Sequence, residues 1–257
     1  PGNSIAHKLD PRTKILLVTL YIIALFSAKG WMGYAVMAVT LAACLKVSHV
    51  GLRALLRGLK PLVFIIAFTG ILNMFFTPDT HYLWEWGILR VSVKGIENAL
   101  FMVIRIMLLV MGTFLMTYTT SPIRLTDGLE SLLNPLKKIH VPVHELAMMM
   151  AIALRFIPTL IEETDKIMSA QKARGADFES GGLFQKAKAL VPILVPLFIS
   201  AFRRADELAT AMECRCYHGG EGRTKLHVLK YQRRDYVALT GGAVILALVV
   251  VLRRLGA

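Results

Sequence analysis

The chain has 257 residues, of which 55% are hydrophobic, and it carries 30 Lys and Arg residues against 17 Asp and Glu. Its mean hydropathy is +0.57, and soluble domains are rarely so apolar. A surplus of basic over acidic residues indicates either nucleic acid or an anionic membrane face as the partner. Here the charged residues lie between apolar runs. That distribution favours a protein of the lipid bilayer and argues against nucleic acid.

The sequence contains six apolar runs, and five of them are predicted to be transmembrane helices. A spanning helix needs about 20 largely apolar residues. The runs cover residues 15–28, 31–47, 61–76, 99–120, 187–202 and 236–252. The fifth run contains Pro192 and Pro196 and is followed at once by the charged "FRRADE". We therefore interpret it as the start of an interfacial or buried helix. Arg105 lies inside the fourth run and must face a partner helix or a cavity rather than lipid.

The loop charges predict a cytoplasmic N-terminus in the cell membrane, because four basic side chains precede the first run. These are His7, Lys8, Arg12 and Lys14. The loop that follows the second run is again basic and returns to the inside; its cations are Lys46, Arg53, Arg57 and Lys60. The stretch "TPDTHYLWEWGILRVS" combines Asp79 and Glu85 with two tryptophans and is typical of an outer loop. Asp10-Pro11 predicts a helix N-cap followed by proline at the first helical position.

The segment 120–235 holds 17 Lys and Arg and 13 Asp and Glu, so it is too charged to span a membrane. It is also too periodic to be disordered, and six prolines divide it into helices. These are Pro122, Pro135, Pro142, Pro158, Pro192 and Pro196. We thus predict three regions: membrane helices in 1–119, a cytoplasmic or interfacial segment in 120–235 and a final membrane helix in 236–257. The predicted fold class is all-α, a polytopic membrane protein with long amphipathic helices.

An internal repeat appears when "AQKARGADF" is aligned with "AMECRCYHGG" at an offset of 41 residues, which places Arg174 on Arg215. Asp165 then falls on Asp206. The apolar positions of both copies form one face of a helix, with charged residues on the other face. The first helix, counted from His144 to Arg174, reaches about 46 Å at 1.5 Å per residue.

Periodicity alone leaves two interpretations of this repeat open. In the first, two ordinary amphipathic helices lie on the membrane and each arginine satisfies its helix dipole. In the second, the helices are a pair of levers that present their C-terminal arginines to a partner with two-fold or pseudo-two-fold symmetry.

Three motifs in order resemble the transmembrane T subunit of energy-coupling-factor (ECF) vitamin transporters. "ARGADF" at 173–178 and "AMECRCYHGGEGRT" at 211–224 are similar to the paired Ala-Arg-Gly motifs of that family, and "HKLDPRTK" at 7–14 is similar to its N-terminal signature. The resemblance covers nearly the whole chain.

The resemblance implies a subunit that joins two cytoplasmic ABC ATPases to one membrane-embedded, substrate-binding S subunit for uptake of a vitamin or similar micronutrient. It implies that the arginine-ended helices are coupling helices whose arginines insert into grooves on the ATPases, which bind ATP and Mg²⁺. The coupling residues are then Ala173, Arg174, Gly175, Cys214, Arg215 and Cys216. The second copy departs from Ala-Arg-Gly, which puts in doubt the left-handed turn that glycine favours, and Gly219-Gly220 is expected to move that turn further on.

Other clusters of polar residues in the sequence do not predict a metal or nucleotide site. Cys214, Cys216 and His218 do not predict a zinc site, because structural zinc takes four ligands and no second cluster follows. "HGGEGRT" at 218–224 lacks the lysine of a phosphate-binding loop, and the chain has no Walker motif, so we expect it to bind no cofactor and to be no enzyme.

Seven of the twelve methionines fall between 102 and 150, which indicates either ordinary packing or a surface that can repack against more than one S subunit. Its candidate residues are Met102, Met107, Met111, Met148 and Met149.

Two other functions compete with that of a coupling subunit. A conventional ABC importer permease would form the substrate path itself, but it would more often offer one coupling helix per half. A membrane enzyme using His81, His140, His144 or His218 has no nucleophile–base or metal-ligand spacing in support. The sequence does not identify the vitamin.

Overall fold

The computed structural model describes residues 4–76, 82–86, 89–178, 182–219 and 228–255. Its helices, in chain order, are α1 (Ile5–Lys8), α2 (Pro11–Ser27), α3 (Gly30–Ser48), α4 (Leu52–Leu59), α5 (Val63–Phe76), α6 (Val93–Thr119), α7 (Pro122–Leu133), α8 (Val143–Ala173), α9 (Leu183–Cys214) and α10 (Arg233–Arg254). Two 3-10 turns, at Lys60–Leu62 and Asn134–Ile139, interrupt this series. The predicted polytopic all-α class is confirmed.

The predicted outer loop contains a short antiparallel hairpin of β1 (Tyr82–Trp86) and β2 (Leu89–Ser92). Backbone pairing places Glu85 opposite Arg90 and Trp86 opposite Leu89. Asp79 and His81, which belong to the same sequence stretch, lie outside the described residues.

Among the residues that the structure describes, six helical segments are long and apolar enough to cross a membrane, judged by length and composition. They are Gly30–Ser48, Leu52–Phe75, Val93–Thr119, Val143–Ala173, Phe184–Cys214 and Arg233–Arg254. Four of the five predicted spans are among them, whereas α2, with 17 residues, is not. The two additional segments lie in α8 and α9, whose cytoplasmic or interfacial position stays a prediction.

The chain forms two compact units, residues Pro1–Gly128 with Val228–Ala257 (unit 1) and residues Leu129–His227 (unit 2). Helices α2, α3, α6 and α10 supply the core of unit 1. The core side chains are Ala24, Leu25, Ala28, Tyr34, Met37, Leu41, Leu108 and Val249. Many large apolar side chains point outward instead, including Phe64, which is 79% exposed; such a surface suits contact with lipid.

Arg105 does face a partner helix, as its position inside an apolar run predicts. Its Nε donates a hydrogen bond of 2.8 Å to Oη of Tyr34 on α3, and its guanidinium lies 5.7 Å from the ring centres of Tyr34 and Phe26. The charge is therefore held among aromatic faces and a hydroxyl, which lowers the cost of keeping it within the helix bundle.

The N-terminal motif binds the first long helix to the last. Asp10 is the N-cap of α2, as predicted: its Oδ1 accepts from the backbone N–H of Arg12 at 2.9 Å, and Pro11 opens the helix. The backbone N–H of Asp10 donates to Oδ1 of Asp235, a residue only 2% exposed, at 2.9 Å. Asp235 also accepts from the N–H of Gln232 with its other oxygen, at 2.8 Å. The start of α2 and the start of α10 are thus held by one buried carboxylate.

The basic residues of this motif are also engaged. Arg12 forms an ion pair with Asp10 at 3.0 Å, and its guanidinium lies 4.0 Å from the ring centre of Tyr231. Lys14 Nζ donates to the carbonyl oxygen of Thr119 at 2.8 Å, so α2 is tied to the end of α6. The pKa of His7 is lowered, first because its imidazole is partly buried and second because Lys14 nearby is positively charged.

The six prolines of the 120–235 segment do not all separate helices. Pro122 opens α7, Pro135 lies in a 3-10 turn and Pro142 precedes α8, but Pro158 lies inside α8. Pro192 and Pro196 likewise lie inside α9, which is continuous over 32 residues. The prediction that these three prolines divide the segment is therefore wrong. An interior proline removes one N–H donor, and packing of a long apolar helix can compensate for that loss.

Candidate functional site

Unit 2 is built on α8 and α9, which cross as antiparallel neighbours. Gln171 Nε2 near the end of α8 donates to the carbonyl oxygen of Pro192 near the start of α9, at 3.4 Å. Glu163 contacts Arg204 about two thirds of the way along each helix. Ile152 lines the same cavity as Met212. Residue numbers on α9 rise as those on α8 fall, so the two C-termini point in opposite directions.

The crossing has the pseudo-two-fold symmetry expected of the repeat. Arg204 Nη2 donates to Oε2 of Glu163 at 2.8 Å, and these residues are separated by the repeat offset of 41. A residue of one helix can meet its own equivalent on an antiparallel neighbour only near the axis that exchanges the two helices. Glu163 and Arg204 therefore mark the centre of the crossing.

The end of α8 has the hydrogen bonds of a Schellman motif, in which a left-handed residue closes the helix. The N–H of Gly175 donates to the carbonyl oxygen of Lys172 at 2.9 Å, and the N–H of Ala176 donates to that of Gln171 at 3.0 Å. Gly175 has φ +86°, which costs glycine little because it has no Cβ. Arg174 is the C-cap residue that directly precedes this turn.

The end of α9 repeats the same motif at the equivalent positions. Cys216 N–H donates to the carbonyl oxygen of Glu213 at 2.8 Å, and Tyr217 N–H donates to that of Met212 at 3.0 Å. Cys216 has φ +55°, so the cysteine itself takes the left-handed conformation. The suggestion that Gly219-Gly220 moves this turn further along is wrong, although Gly219 has a positive φ of its own. Gly220 lies outside the described residues.

Both arginines are therefore C-cap residues in matching local geometry. Arg174 follows Ala173, and Arg215 follows Cys214, the last residues of their helices. Each arginine is exposed, and within the described residues neither guanidinium makes a hydrogen bond or ion pair. Each lies eleven residues beyond the central ion pair, so the two Cα atoms are at most about 33 Å apart along the helix axes.

The crossing also contains an apolar cavity of about 290 Å³. Phe156 and Leu160 of α8 and Ala205 and Leu208 of α9 line it, with Arg204 at its polar edge. Outside the cavity, α9 exposes a continuous series of large apolar side chains. Among them are Leu190, Val191, Leu194, Val195, Phe198 and Phe202. Such a surface needs either lipid or a protein partner to cover it.

The candidate methionines divide between the two units. Met102, Met107 and Met111 lie half-buried on α6 in unit 1, where Met111 packs against the core and Met102 Sδ accepts from Asn73 Nδ2. Met148 is half-buried and Met149 is 55% exposed on α8 in unit 2. Their role in binding an S subunit stays a prediction, and Met149 is the member most open to a partner.

The cysteine pair and His218 lie at the end of α9. His218 Nδ1 lies 2.9 Å from the carbonyl oxygen of Cys216. In the part of the chain that the structure describes, no three His, Cys, Asp or Glu side chains are placed to hold a metal ion.

The pairing of Glu163 with Arg204 was missed in the sequence, although the repeat contained the signal. The offset of 41 aligns an acid with a base at this position, and both were assigned to the polar faces. An opposite-charge pair at equivalent positions becomes a contact only if the helices cross antiparallel there.

The fold and this site define a multi-pass α-helical membrane protein with two long, arginine-capped helices related by an internal repeat. A family model described as cobalt transport protein matches residues 2–226. The energy-coupling factor transporter transmembrane protein EcfT of Ruminiclostridium cellulolyticum is 53% identical over 245 residues, which cover 95% of this chain and 91% of that protein. The protein of the same name from Acidaminococcus fermentans is 56% identical, with 98% and 92% coverage, and that from Bacillus subtilis is 47% identical, with 98% and 96% coverage.

The chain therefore belongs to the family of energy-coupling factor transporter transmembrane proteins. The resemblance that the motifs indicated is confirmed.

Proposed function

We propose that this chain is the T subunit that transmits ATP-driven motions of two cytoplasmic ABC ATPases to a membrane-embedded S subunit. The S subunit binds the vitamin or similar micronutrient, and the ATPases bind ATP and Mg²⁺. The chain itself is non-catalytic, and its N-terminus is cytoplasmic. Family membership supports this assignment, and the observation that carries it is the pair of matching arginine C-caps on one chain.

The geometry of unit 2 suits the attachment of two similar partners. Pseudo-two-fold symmetry about Glu163 and Arg204 presents the same helix end, with the same exposed arginine, in two opposite directions. Two ATPases of similar structure would each meet an equivalent surface. A movement that brings the ATPases together would then act on both ends of one helix pair.

Arginine suits such a contact because its planar guanidinium can donate several hydrogen bonds to carboxylates or carbonyls at once. The unsatisfied carbonyls at a helix C-terminus also favour a cation there. Truncating a largely desolvated charged contact at an interface costs about 2–5 kcal/mol. Because two such contacts act together, the loss of one should weaken assembly less than the loss of both.

The test is reversal of each charge, Arg174→Glu and Arg215→Glu, in the full complex. Each single variant should insert into the membrane but lose most transport and transport-coupled ATPase activity, and the double variant should release both ATPases. Arg203→Glu is the matched control, since Arg203 is exposed within α9 and lies three turns before its C-terminal end. Its complex should keep both ATPases. Full transport by the double variant with both ATPases bound would show that the arginines only cap their helices.

A permease that forms the substrate path itself is the competing function, and purification separates the two. The T-subunit function requires a second, small membrane protein in the complex that holds the substrate when isolated. Substrate bound by the present chain and the ATPases alone would favour the permease.

A further inference from the structure

Unit 1 contains a second and larger cavity, of about 610 Å³, that lies between α1, α2, α3, α6 and α10. Its walls are almost entirely apolar, with Leu17, Leu41, Leu115 and Ile245 among the lining side chains. The volume lies within the range of sites that bind small ligands, about 300–1,000 Å³. None of the residues discussed for the ATPase contacts lines it.

The charged residues of this cavity lie at one end, its mouth, where α2 and α10 begin and α3 and α6 end. Lys14, Arg233 and Arg234 line it there, and no lining residue is acidic. Arg233 and Arg234 are exposed and make no hydrogen bond or ion pair within the described residues. The nearby carboxylate of Asp235 is occupied by the backbone N–H groups of Asp10 and Gln232. Three basic side chains thus stand against this one carboxylate, so the mouth of the cavity presents a net positive charge.

The depth of the cavity matches one leaflet of a bilayer. On α2 its lining runs from Lys14 to Ala24, and on α10 from Arg233 to Ile245. At 1.5 Å per residue these distances are about 15 Å and about 18 Å. The hydrocarbon core of a bilayer is about 30 Å thick, so each leaflet contributes about 15 Å of acyl chain.

We propose that this cavity binds one acyl chain of an anionic phospholipid, with the phosphate headgroup at Arg233 and Arg234. An apolar channel of leaflet depth fits the chain, and the cationic mouth selects an anionic over a zwitterionic headgroup. Each basic side chain near an anionic lipid surface contributes about fivefold to binding. The site would hold a lipid between the first and last long helices of unit 1.

The complex, solubilised in detergent, is incubated with equal amounts of palmitoyl-oleoyl phosphatidylglycerol and palmitoyl-oleoyl phosphatidylcholine, and lipid retained after gel filtration is counted by mass spectrometry. We expect about one phosphatidylglycerol per complex over background, in at least fivefold excess over phosphatidylcholine. Arg233→Gln with Arg234→Gln should abolish this preference. Arg253→Gln with Arg254→Gln, at the other end of α10, is the matched control and should keep it.

A second variant tests the cavity independently of the charges. Gly241 lines it, and a Cβ added there meets no atom within 4 Å, so Gly241→Leu fills the space without displacing backbone. This variant should retain neither lipid, whereas Val244→Leu on the exposed face of α10 should behave as the wild type. Four results would each overturn the proposal: no preference in the wild type, equal loss in the Arg253/Arg254 control, retention by Gly241→Leu, or displacement of the phospholipid by equimolar oleate.

Discussion

Glu163 and Arg204 occupy the same position in the two halves of an internal repeat and bind each other directly, Oε2 to Nη2 at 2.8 Å. The acid stands in the first copy and the base in the second. A duplicated segment with identical residues at this position would bring like charges together at the crossing. The opposite charges at this position therefore make the contact between the two helices attractive.

Reversing one charge of this pair should disturb the crossing, because two like charges then meet across α8 and α9. We expect Glu163→Arg to lower substrate uptake several-fold, whereas the exchange Glu163→Arg with Arg204→Glu should restore most of it. Uptake into vesicles that contain the complete transporter is the measurement. Glu162→Arg is the control, since Glu162 is exposed on the neighbouring position. An exchange variant as impaired as the single variant would mean that the pair does not act as a contact.

Introducing glycine at the end of α9 and removing it at the end of α8 should have opposite effects on stability. Cys216→Gly should stabilise the end of α9 by about 1 kcal/mol, because a Cβ in the left-handed conformation costs about 1–2 kcal/mol. Gly175→Ala should destabilise α8 by a similar amount, since its added Cβ meets no atom and only the backbone conformation is penalised. Hydrogen exchange of the amides of Ala176 and Tyr217 reports each turn. Slower exchange at Tyr217 in Cys216→Ser than in Cys216→Gly would contradict this account.

Removal of the buried carboxylate of Asp235 should loosen the junction of α2 and α10. Asp235→Ala leaves the N–H of Asp10 without its acceptor in a buried position, and we expect a loss of about 1–3 kcal/mol. Asp235→Asn keeps one acceptor oxygen and should lose less. Thermal unfolding of the purified protein is the measurement, with the exposed Asp206→Ala as control. Equal unfolding temperatures for Asp235→Ala and the wild type would show that water replaces the carboxylate.

The predicted orientation can be tested by cysteine labelling with a membrane-impermeant maleimide. In a Cys44→Ala background, Val93→Cys at the start of α6 should react on intact cells, because loop charge places that end outside. The native Cys214 and Cys216 are exposed and should react only after permeabilisation. The positions near Thr80 and Glu179 would be natural choices too, but they lie outside the described residues. Labelling of all three cysteines from one side would contradict the predicted topology.

The sequence alone determined those features that depend on neighbouring residues or on a repeated pattern. Asp10-Pro11 predicts an N-cap because the short side chain reaches an N–H only two residues away. The repeat at an offset of 41 predicts two helices ending at Arg174 and Arg215, since periodicity and helix ends are local properties. Arg105 predicts a contact with a partner helix or a cavity, because a charge inside an apolar helix is costly in lipid.

The tertiary structure decided what depends on residues far apart in the chain. Only the antiparallel crossing of α8 and α9 brings Glu163 to Arg204, and only the packing of α2 against α10 brings Asp10 to Asp235. α9 also continues through Pro192 and Pro196, and the hydrogen bonds of the helix-ending turn hold Cys216 in a left-handed conformation that cysteine disfavours. The physical reason for the two contacts is that they depend on how distant segments pack, whereas a sequence read residue by residue contains only local preferences of up to about 3 kcal/mol.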